Sequence, residues 1–183
     1  MRRPVSAGFL SAGLVILAAA AMAADPPRPG EPVPVDHVDL QRYAGTWYEV
    51  ARIPNRFQKQ CARGATATYS LREDGKIGVV NRCLKADGEP DEAEGIARIV
   101  DPKTNARLEV SFVSFLGLRP FWGDYWVIGL GEDYEYAIVG TANRKYGWVL
   151  SRVPNPGPDT IQEVRRTLVA QGYDPDDFQI SPQ

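Results

Sequence analysis

Eight short runs of β-branched, aromatic or alternating apolar and polar residues recur at intervals of roughly ten residues, and this recurrence limits the possible folds most strongly. The runs occupy residues 45–52, 64–71, 76–84, 93–100, 107–114, 125–130, 136–141 and 147–153. Turn-forming sequences such as Glu73-Asp74-Gly75 separate them. Consecutive antiparallel strands close economically into a barrel, because closure removes exposed strand edges. The sequence therefore predicts an all-β fold, an eight-stranded antiparallel up-and-down β-barrel, with a β-sandwich as the alternative.

After the last run the apolar period changes from two to that of a helix. Thr160 and Glu163 match a capping box, and Gly172 is a typical helix end. The apolar stripe at i, i+3 and i+7 consists of Ile161, Val164 and Leu168. We expect one C-terminal α-helix packed against the outside of the barrel, followed by a short strand at 178–180.

Residues 1–23 have the pattern of a secretory signal peptide. Arg2 and Arg3 precede an apolar run at residues 9–21, and Ala21-Met22-Ala23 matches a signal-peptidase site. A membrane anchor is the alternative, but the apolar run is shorter than the roughly 18–20 residues that a helical span needs. No cysteine follows the run to form a lipobox, so an exported, soluble periplasmic protein is expected.

The rest of the chain is expected to contain a Pro-rich, mobile leader at residues 24–35 and a single domain at 36–183. Removing Arg2 and Arg3 from the 21 basic side chains leaves 19, against 23 acidic ones, which gives a net charge of −4. This balance argues against nucleic acids or anionic membrane surfaces as main partners.

Cys61 and Cys83 are the two cysteines of the sequence. An even number of cysteines in an exported chain predicts one disulfide. Closing a loop of about 20 residues stabilises a fold by roughly 3 kcal/mol in the chain-entropy model. The alternative is a redox or nucleophilic pair, but neither C-x-x-C spacing nor a nearby activating base is visible in the sequence.

Three stretches of the chain together resemble the signature regions of the lipocalin family. They are Gly45-x-Trp47 in the first predicted strand, Glu132-Asp133-Tyr134 before the seventh, and Arg152 at the end of the eighth. The segments 45–54 and 146–152 look most like the bacterial lipocalin and apolipoprotein D branch. The resemblance extends from about residue 36 to the last residue. The bacterial members that this chain resembles carry a lipobox cysteine, whereas this chain has Ala23-Ala24.

The resemblance implies a ligand-binding barrel whose signature residues are structural: Gly45, Trp47, Asp133, Tyr134 and Arg152. It places Arg152 across the closed end of the barrel, over the indole of Trp47. A cation over an indole contributes about 0.5–2 kcal/mol of attraction. Neither residue is therefore expected to touch the ligand.

Residues two apart in a strand share a face, which selects the side chains that line the barrel. The predicted ligand-binding residues are Tyr69, Val79, Asn81, Val110, Phe112, Trp126, Tyr146 and Trp148. Small inward residues leave room opposite the aromatic rings: Ala65, Ala67, Gly95 and Ala97. Asn81 and the hydroxyls of Tyr69 and Tyr146 are the polar groups expected to orient a ligand headgroup. The alternative is that the aromatic rings simply fill the core.

The loop at residues 115–122 is more apolar than a turn requires, with Phe115, Leu116, Leu118, Phe121 and Trp122. Such a loop is typical of a peripheral membrane contact, a partner contact or a binding mouth. The alternative is a lid that folds over the barrel rim. Phe57 in the loop after the first strand belongs to the same end of the barrel.

Catalytic chemistry has little support, because His37 is the single histidine and no catalytic triad, metal-ligand spacing or phosphate-binding loop is present in the sequence. We expect no catalytic residues, metal or cofactor. The predicted function is binding of a fatty acid or lysophospholipid for lipid storage, transport or scavenging. Two alternatives are a barrel enzyme, such as an isomerase or an epoxide-acting lipocalin relative that uses Glu49, and a loop-mediated interaction module with a filled barrel.

Overall fold

The computed structural model describes residues 27–183, so the predicted signal peptide at 1–23 lies outside the described residues. The short helix α1 (Leu40–Tyr43) precedes eight strands. The strands are β1 (Gly45–Arg52), β2 (Arg63–Leu71), β3 (Ile77–Leu84), β4 (Pro90–Ile99), β5 (Arg107–Ser111), β6 (Gly123–Leu130), β7 (Tyr136–Gly140) and β8 (Gly147–Ser151). The chain then forms α2 (Pro158–Ala170), a 3-10 turn (Pro175–Asp177) and β9 (Gln179–Ile180).

The eight long strands form a closed antiparallel up-and-down barrel, which confirms the predicted fold. Each strand pairs with the next one in the chain, and β1 pairs with both β2 and β8. Trp47 lies opposite Ala67 on β2, and Glu49 lies opposite Leu150 on β8. Strand β5 ends at Ser111 rather than at residue 114, because the following residues enter the apolar loop.

The barrel has an inner and an outer apolar cluster, as alternation of side chains across a strand requires. The inner cluster fills the interior near one end and includes Trp47, Tyr69, Val79, Leu108, Val127 and Leu150. The outer cluster lies between the barrel wall and α2 and includes Trp126, Ile128, Tyr136, Ile138, Val164 and Leu168. Strands β6 and β7 are therefore covered on both faces, and β1 and β8 contribute Val50 and Val149 to the outer cluster as well.

Helix α2 packs against the outside of β6 and β7, as predicted, but its first turn differs from the prediction. Gly157 is the N-cap residue and Pro158 is the first helical residue, so Thr160 lies inside the helix and forms no capping box. Proline favours the first helical position because its fixed φ suits the helix and no N–H bond is lost there. Val164 and Leu168 are buried, but Ile161 is exposed. None of the helices in the range 27–183 is long and apolar enough to cross a bilayer.

The Pro-rich leader, expected to be mobile, is docked on the barrel over residues 30–35. Pro32 is fully buried. The backbone N–H of Val35 donates to the carbonyl of Val127 at 2.9 Å, and Gln171 both donates to and accepts from the backbone of Val33. These contacts hold the leader against the end of α2 and against β6. The composition of the leader alone does not reveal this docking site.

The C-terminal residues lie between β1 and β2 where these two strands separate. Strand β9 pairs with β1, with Ile180 opposite Ala51, which agrees with the short strand expected at 178–180. The N–H of Ser181 donates to Val50, and the N–H of Gly64 on β2 donates to the carbonyl of Pro182 at 2.7 Å. The tail therefore bridges the seam of the barrel.

Cys61 and Cys83 form a disulfide, as predicted. Their Cα atoms are 5.5 Å apart. Cys61 belongs to the loop between β1 and β2, and Cys83 belongs to β3, so the bond fixes this loop to the barrel wall.

Candidate ligand-binding site

The two ends of the barrel differ in how they are covered. At one end the segment before β1 crosses the opening: the N–H of Val38 donates to Thr104, and the N–H of Asp39 donates to the hydroxyl of Tyr134. At the other end lie four loops, at residues 53–62, 85–89, 112–122 and 141–146. We call the first end the closed end and the second the open end, because a ligand can enter only where no segment crosses the barrel.

Trp47 and Arg152 seal the closed end. Trp47 is fully buried, and its Nε1–H donates to the carbonyl of Tyr43 at 2.8 Å. Cζ of Arg152 lies 3.8 Å from the ring centroid of Trp47. The Arg152 guanidinium also donates to four backbone carbonyls, those of Arg42, Tyr43, Ala44 and Thr46. The structure thus places both residues where the sequence resemblance expects them.

The other signature residues also belong to the closed end. Gly45 has a φ of 94°, a backbone conformation that suits glycine, and it begins β1 directly beside Arg152. Tyr134 has a φ of 61°, and its ring lies 4.1 Å from Cζ of Arg42. The carboxylate of Asp133 is exposed and 3.9 Å from the same guanidinium. The signature residues therefore hold the segment before β1 in place at the closed end and do not line an entrance.

Three tyrosine hydroxyls form a hydrogen-bonded chain in the half of the barrel interior next to the closed end. The hydroxyl of Tyr125 lies 2.8 Å from that of Tyr43 and donates to that of Tyr69 at 2.7 Å. Burial raises the pKa of each of these phenols well above its ordinary value. The hydroxyls consequently remain neutral and supply a small polar centre within apolar surroundings that include Val79 and Leu108.

In the half of the barrel next to the open end, the inner face is apolar and accessible to solvent. The ring of Phe112 packs over Gly95, at 2.7 Å from the position that a Cβ atom would occupy there. Phe112 is nevertheless 40% exposed, and Ala93 on the same face of β4 as Gly95 is also exposed. Val110 and Asn81 are partly buried. The interior is thus packed near the closed end and open to solvent near these residues.

An aromatic row extends along one side of the open end. The ring centroids of Phe57 and Tyr146 are 5.4 Å apart, and those of Tyr146 and Trp148 are 6.2 Å apart. Trp148 lies on the inner face, and its Nε1–H donates to Oε1 of Gln58 at 2.9 Å. The row therefore connects the loop at 53–62 with the inner wall.

A buried carboxylate, that of Glu49, holds this loop in place. Glu49 accepts hydrogen bonds from the side chains of Arg52, Gln58 and Ser181 at 2.5, 2.6 and 2.7 Å. Both carboxylate oxygens are therefore occupied. The alternation of β1 puts Glu49 on the same inner face as Trp47, but its partner Ser181 is 132 residues away in the chain and cannot be found from local sequence.

Trp126 does not line the interior, so the prediction that it faces inward is wrong. Trp126 lies in the outer cluster, where Cζ of Arg107 is 4.6 Å from its ring centroid. Val127 pairs with the inward Val139, which sends Trp126 outward and Tyr125 inward. The signal available in the sequence was the apolar character of both faces of β6 and β7, which is typical of strands covered by a helix.

The apolar loop after β5 forms a small β-hairpin. Phe115 and Leu118 exchange both backbone hydrogen bonds at 2.9 Å, with Leu116 and Gly117 at the tip. Both tip residues have positive φ, 49° and 78°. Leu116 is 86% exposed, and Phe115, Leu118 and Phe121 are also exposed. These apolar side chains are exposed to solvent, whereas a lid would bury them against the rim.

Potential metal-ligand atoms come within 4.8 Å of one another on Cys61, Cys83 and Asp91, within the part of the chain that the structure describes. The two sulfur atoms are bonded to each other, so they do not offer thiolates. This group is therefore not a metal site while the disulfide is intact.

Comparison with known sequences gives consistent matches over this barrel. A family model described as a lipocalin-like domain matches residues 38–183. The outer membrane lipoprotein Blc of Escherichia coli K12 is 39% identical over 176 residues, which cover 96% of this chain and 93% of that protein. Temperature-induced lipocalin-1 of Arabidopsis thaliana is 38% identical over 152 residues, 81% of each chain. Apolipoprotein D of Rattus norvegicus is 36% identical over 155 residues, 80% of this chain and 77% of that one.

Solved structures with the same architecture share less sequence. Insecticyanin of the tobacco hornworm Manduca sexta aligns with a TM-score of 0.68 and 22% identity over 88% of each chain. Apocrustacyanin C2 aligns with a TM-score of 0.63 and 16% identity over 79% of each chain. At these identities the similarity supports the fold alone.

Proposed function

Because the chain belongs to the lipocalin family, in its bacterial lipocalin and apolipoprotein D branch, we propose that it binds a fatty acid or a lysophospholipid inside the barrel. Lipocalins bind small hydrophobic ligands. The proposed role is lipid storage, transport or scavenging in the periplasm. The signal-peptide pattern and the similarity to outer membrane lipoproteins support export, and the absence of a lipobox cysteine from the sequence supports a soluble form.

The observation that carries this proposal is the accessible apolar inner face at the open end. Phe112 and Ala93 expose apolar surface on a face that a filled barrel would bury. Burial of apolar surface is worth roughly 25 cal/mol per Å², before the costs of ordering the ligand are subtracted. An acyl chain that covers this surface therefore gains affinity.

The proposed contacts follow the depth of each residue in the barrel. The upper wall is formed by Asn81, Val110, Phe112, Tyr146 and Trp148. Tyr69 and Val79 lie deeper, beside the chain of tyrosine hydroxyls. In this arrangement the acyl chain enters from the open end and its far end approaches the phenols.

The pocket assignment predicts a selective loss of affinity in two variants. Trp148→Ala and Phe112→Ala should each weaken binding of a fluorescent fatty acid by about tenfold or more, because a buried aromatic contact is worth about 1.5–3 kcal/mol. Phe121→Ala is the matched control, since that ring is exposed on the loop. Wild-type affinity in both pocket variants would overturn the assignment.

The function itself is tested by mass spectrometry of lipids extracted from the purified protein, together with fatty-acid titration. Co-purified acyl lipid and saturable uptake are the expected results. If neither is found, the barrel is filled and the loop-mediated interaction module becomes the better explanation.

An enzymatic role receives less support from the site. The names of the matched family and relatives describe lipocalins and lipoproteins rather than enzymes. Glu49, the buried carboxylate, has its oxygens engaged by Arg52, Gln58 and Ser181. Turnover lost in Glu49→Gln with ligand affinity retained would favour an enzyme.

We also propose that the hairpin at residues 115–118 contacts a lipid surface. Its tip is the most exposed apolar segment of the open end, with Leu116 at the apex. A contact there would bring the barrel entrance next to the lipid from which a ligand is taken.

A further inference from the structure

The hydrogen bonds between the three buried tyrosines run in one direction. Tyr125 donates its hydroxyl hydrogen to Tyr69 at 2.7 Å. Because a phenol has a single hydrogen to donate, Tyr43 is the donor in the contact of 2.8 Å between Tyr43 and Tyr125. The hydrogens of Tyr43 and Tyr125 are therefore both used, and the chain of donors ends at the hydroxyl of Tyr69.

The hydroxyl hydrogen of Tyr69 has no acceptor among residues 27–183. Within that range the hydroxyl takes part in one hydrogen bond, in which it is the acceptor. The residue is only 7% exposed, and burial raises the pKa of its phenol well above the ordinary value, so the hydrogen is retained. A buried donor without an acceptor costs free energy, and most buried polar groups in proteins are paired. This donor is therefore available to an acceptor brought by a ligand.

The strand register connects Tyr69 with the open end of the barrel. Residues that lie directly opposite each other in an antiparallel pair share a face. Tyr69 lies opposite Val79 on β3, and Val79 lies opposite Gly95 on β4. The ring of Phe112 packs over Gly95 and is 40% exposed. Ala67, two residues before Tyr69 on the same face, adds only a methyl group. A continuous inner surface with small side chains thus leads from the entrance to Tyr69.

The surroundings of Tyr69 limit the kind of acceptor that fits. Val79 and Leu108 belong to the same inner cluster and offer no polar side-chain atoms. An ionised carboxylate would need more than one neutral donor to offset its burial there. A ligand hydroxyl would bring a hydrogen that itself needs an acceptor. A carbonyl oxygen brings neither a charge nor a hydrogen, so it matches a single buried donor best.

From this arrangement we propose that the hydroxyl of Tyr69 donates a hydrogen bond to a carbonyl oxygen on the buried part of the acyl chain, so that the barrel selects keto-acyl ligands over saturated ones. A saturated chain that covers Tyr69 leaves the donor buried without an acceptor, whereas a carbonyl at that depth satisfies it. The proposal rests on the proposed function, and it narrows the ligand class to oxidised acyl chains.

The test measures displacement of a fluorescent fatty acid by stearate and by a series of ketostearates that differ only in the carbon that carries the carbonyl. We expect one position in the series to bind the wild-type protein about tenfold more tightly than stearate, because only a carbonyl at the depth of Tyr69 can accept its hydrogen. Equal affinities for stearate and for every ketostearate would overturn the proposal, and this result needs no variant.

The variant Tyr69→Phe removes the donor and keeps the ring. The measured quantity is the ratio of the affinities for the best ketostearate and for stearate, and this ratio should fall to one or below. Tyr48→Phe is the matched control, because Tyr48 packs against the outer cluster, and its ratio should equal that of the wild type. A wild-type ratio in Tyr69→Phe would contradict the assignment of the donor. If neither stearate nor any ketostearate binds, the proposed function fails as a whole.

Discussion

Arg152 performs two separate tasks at the closed end, and they require different parts of its side chain. The face of the guanidinium covers the indole of Trp47, while its N–H groups donate to backbone carbonyls from the end of α1 to the start of β1. A lysine keeps the charge but lacks the planar fork of donors. The arginine therefore joins the segment before β1 to the last strand of the barrel.

At this residue we predict graded losses of stability. Arg152→Met should lower the free energy of unfolding by about 2–3 kcal/mol, because charge-assisted hydrogen bonds and a cation–indole contact are lost together. Arg152→Lys should cost less. Urea unfolding followed by tryptophan fluorescence measures both, and fatty-acid affinity should remain within about twofold, since Arg152 is far from the entrance. Wild-type stability in Arg152→Met would contradict this account.

The raised pKa values of the buried tyrosines predict that the folded protein loses stability at alkaline pH. Burial raises the pKa of Tyr43, Tyr69 and Tyr125 in the folded protein, whereas the unfolded chain ionises near pH 10. The unfolded state then binds fewer protons than the folded state, so stability falls as pH rises above about 10. Below that pH the contribution is fully present.

Urea unfolding between pH 8 and 11.5 should show this loss, and Tyr69→Phe should reduce its slope by up to about 1.4 kcal/mol per pH unit. Absorbance of phenolate in the native protein provides the control. Ionisation of these three phenols near pH 10 without unfolding would show that they are not protected.

Among the structural elements, the hairpin after β5 departs most from what a soluble turn requires. Leucine at a φ of 49° is unfavourable compared with glycine or asparagine, yet Leu116 occupies the first tip position. Its neighbours Phe115 and Leu118 are exposed as well. An element of this kind gains from burial in something that the isolated chain does not supply.

We predict that Leu116→Ser weakens binding of the protein to zwitterionic phosphatidylcholine vesicles by about tenfold, from the apolar burial that a leucine provides. Leu71→Ser, an exposed leucine at the closed end, is the matched control and should bind like the wild type. Vesicle sedimentation measures both. Equal binding of the two variants would argue against the hairpin as the contact.

At the scale of the whole molecule, the sequence predicts the features that depend on local periodicity. It does not predict side-chain orientations and contacts that are set by residues distant in the chain. The strands and the inward positions of Tyr69, Val79 and Trp148 follow from a period of two. The orientation of Trp126 does not, because both faces of β6 are apolar and only α2 determines which face is outside. The docking of Val33 on Gln171 and the hydrogen bond between Ser181 and Glu49 likewise depend on segments more than 100 residues away.

The seam bridged by the C-terminal tail sets the order in which the barrel can form. Ala51 pairs with Ile180 of the tail, about 130 positions away, and on its other edge with Val149 of β8, about 100 positions away, whereas Cys61 and Cys83 are separated by 22. Contacts between distant residues carry a larger entropy of loop closure and form late. We therefore expect the hairpins next to the disulfide to form before the tail docks between β1 and β2.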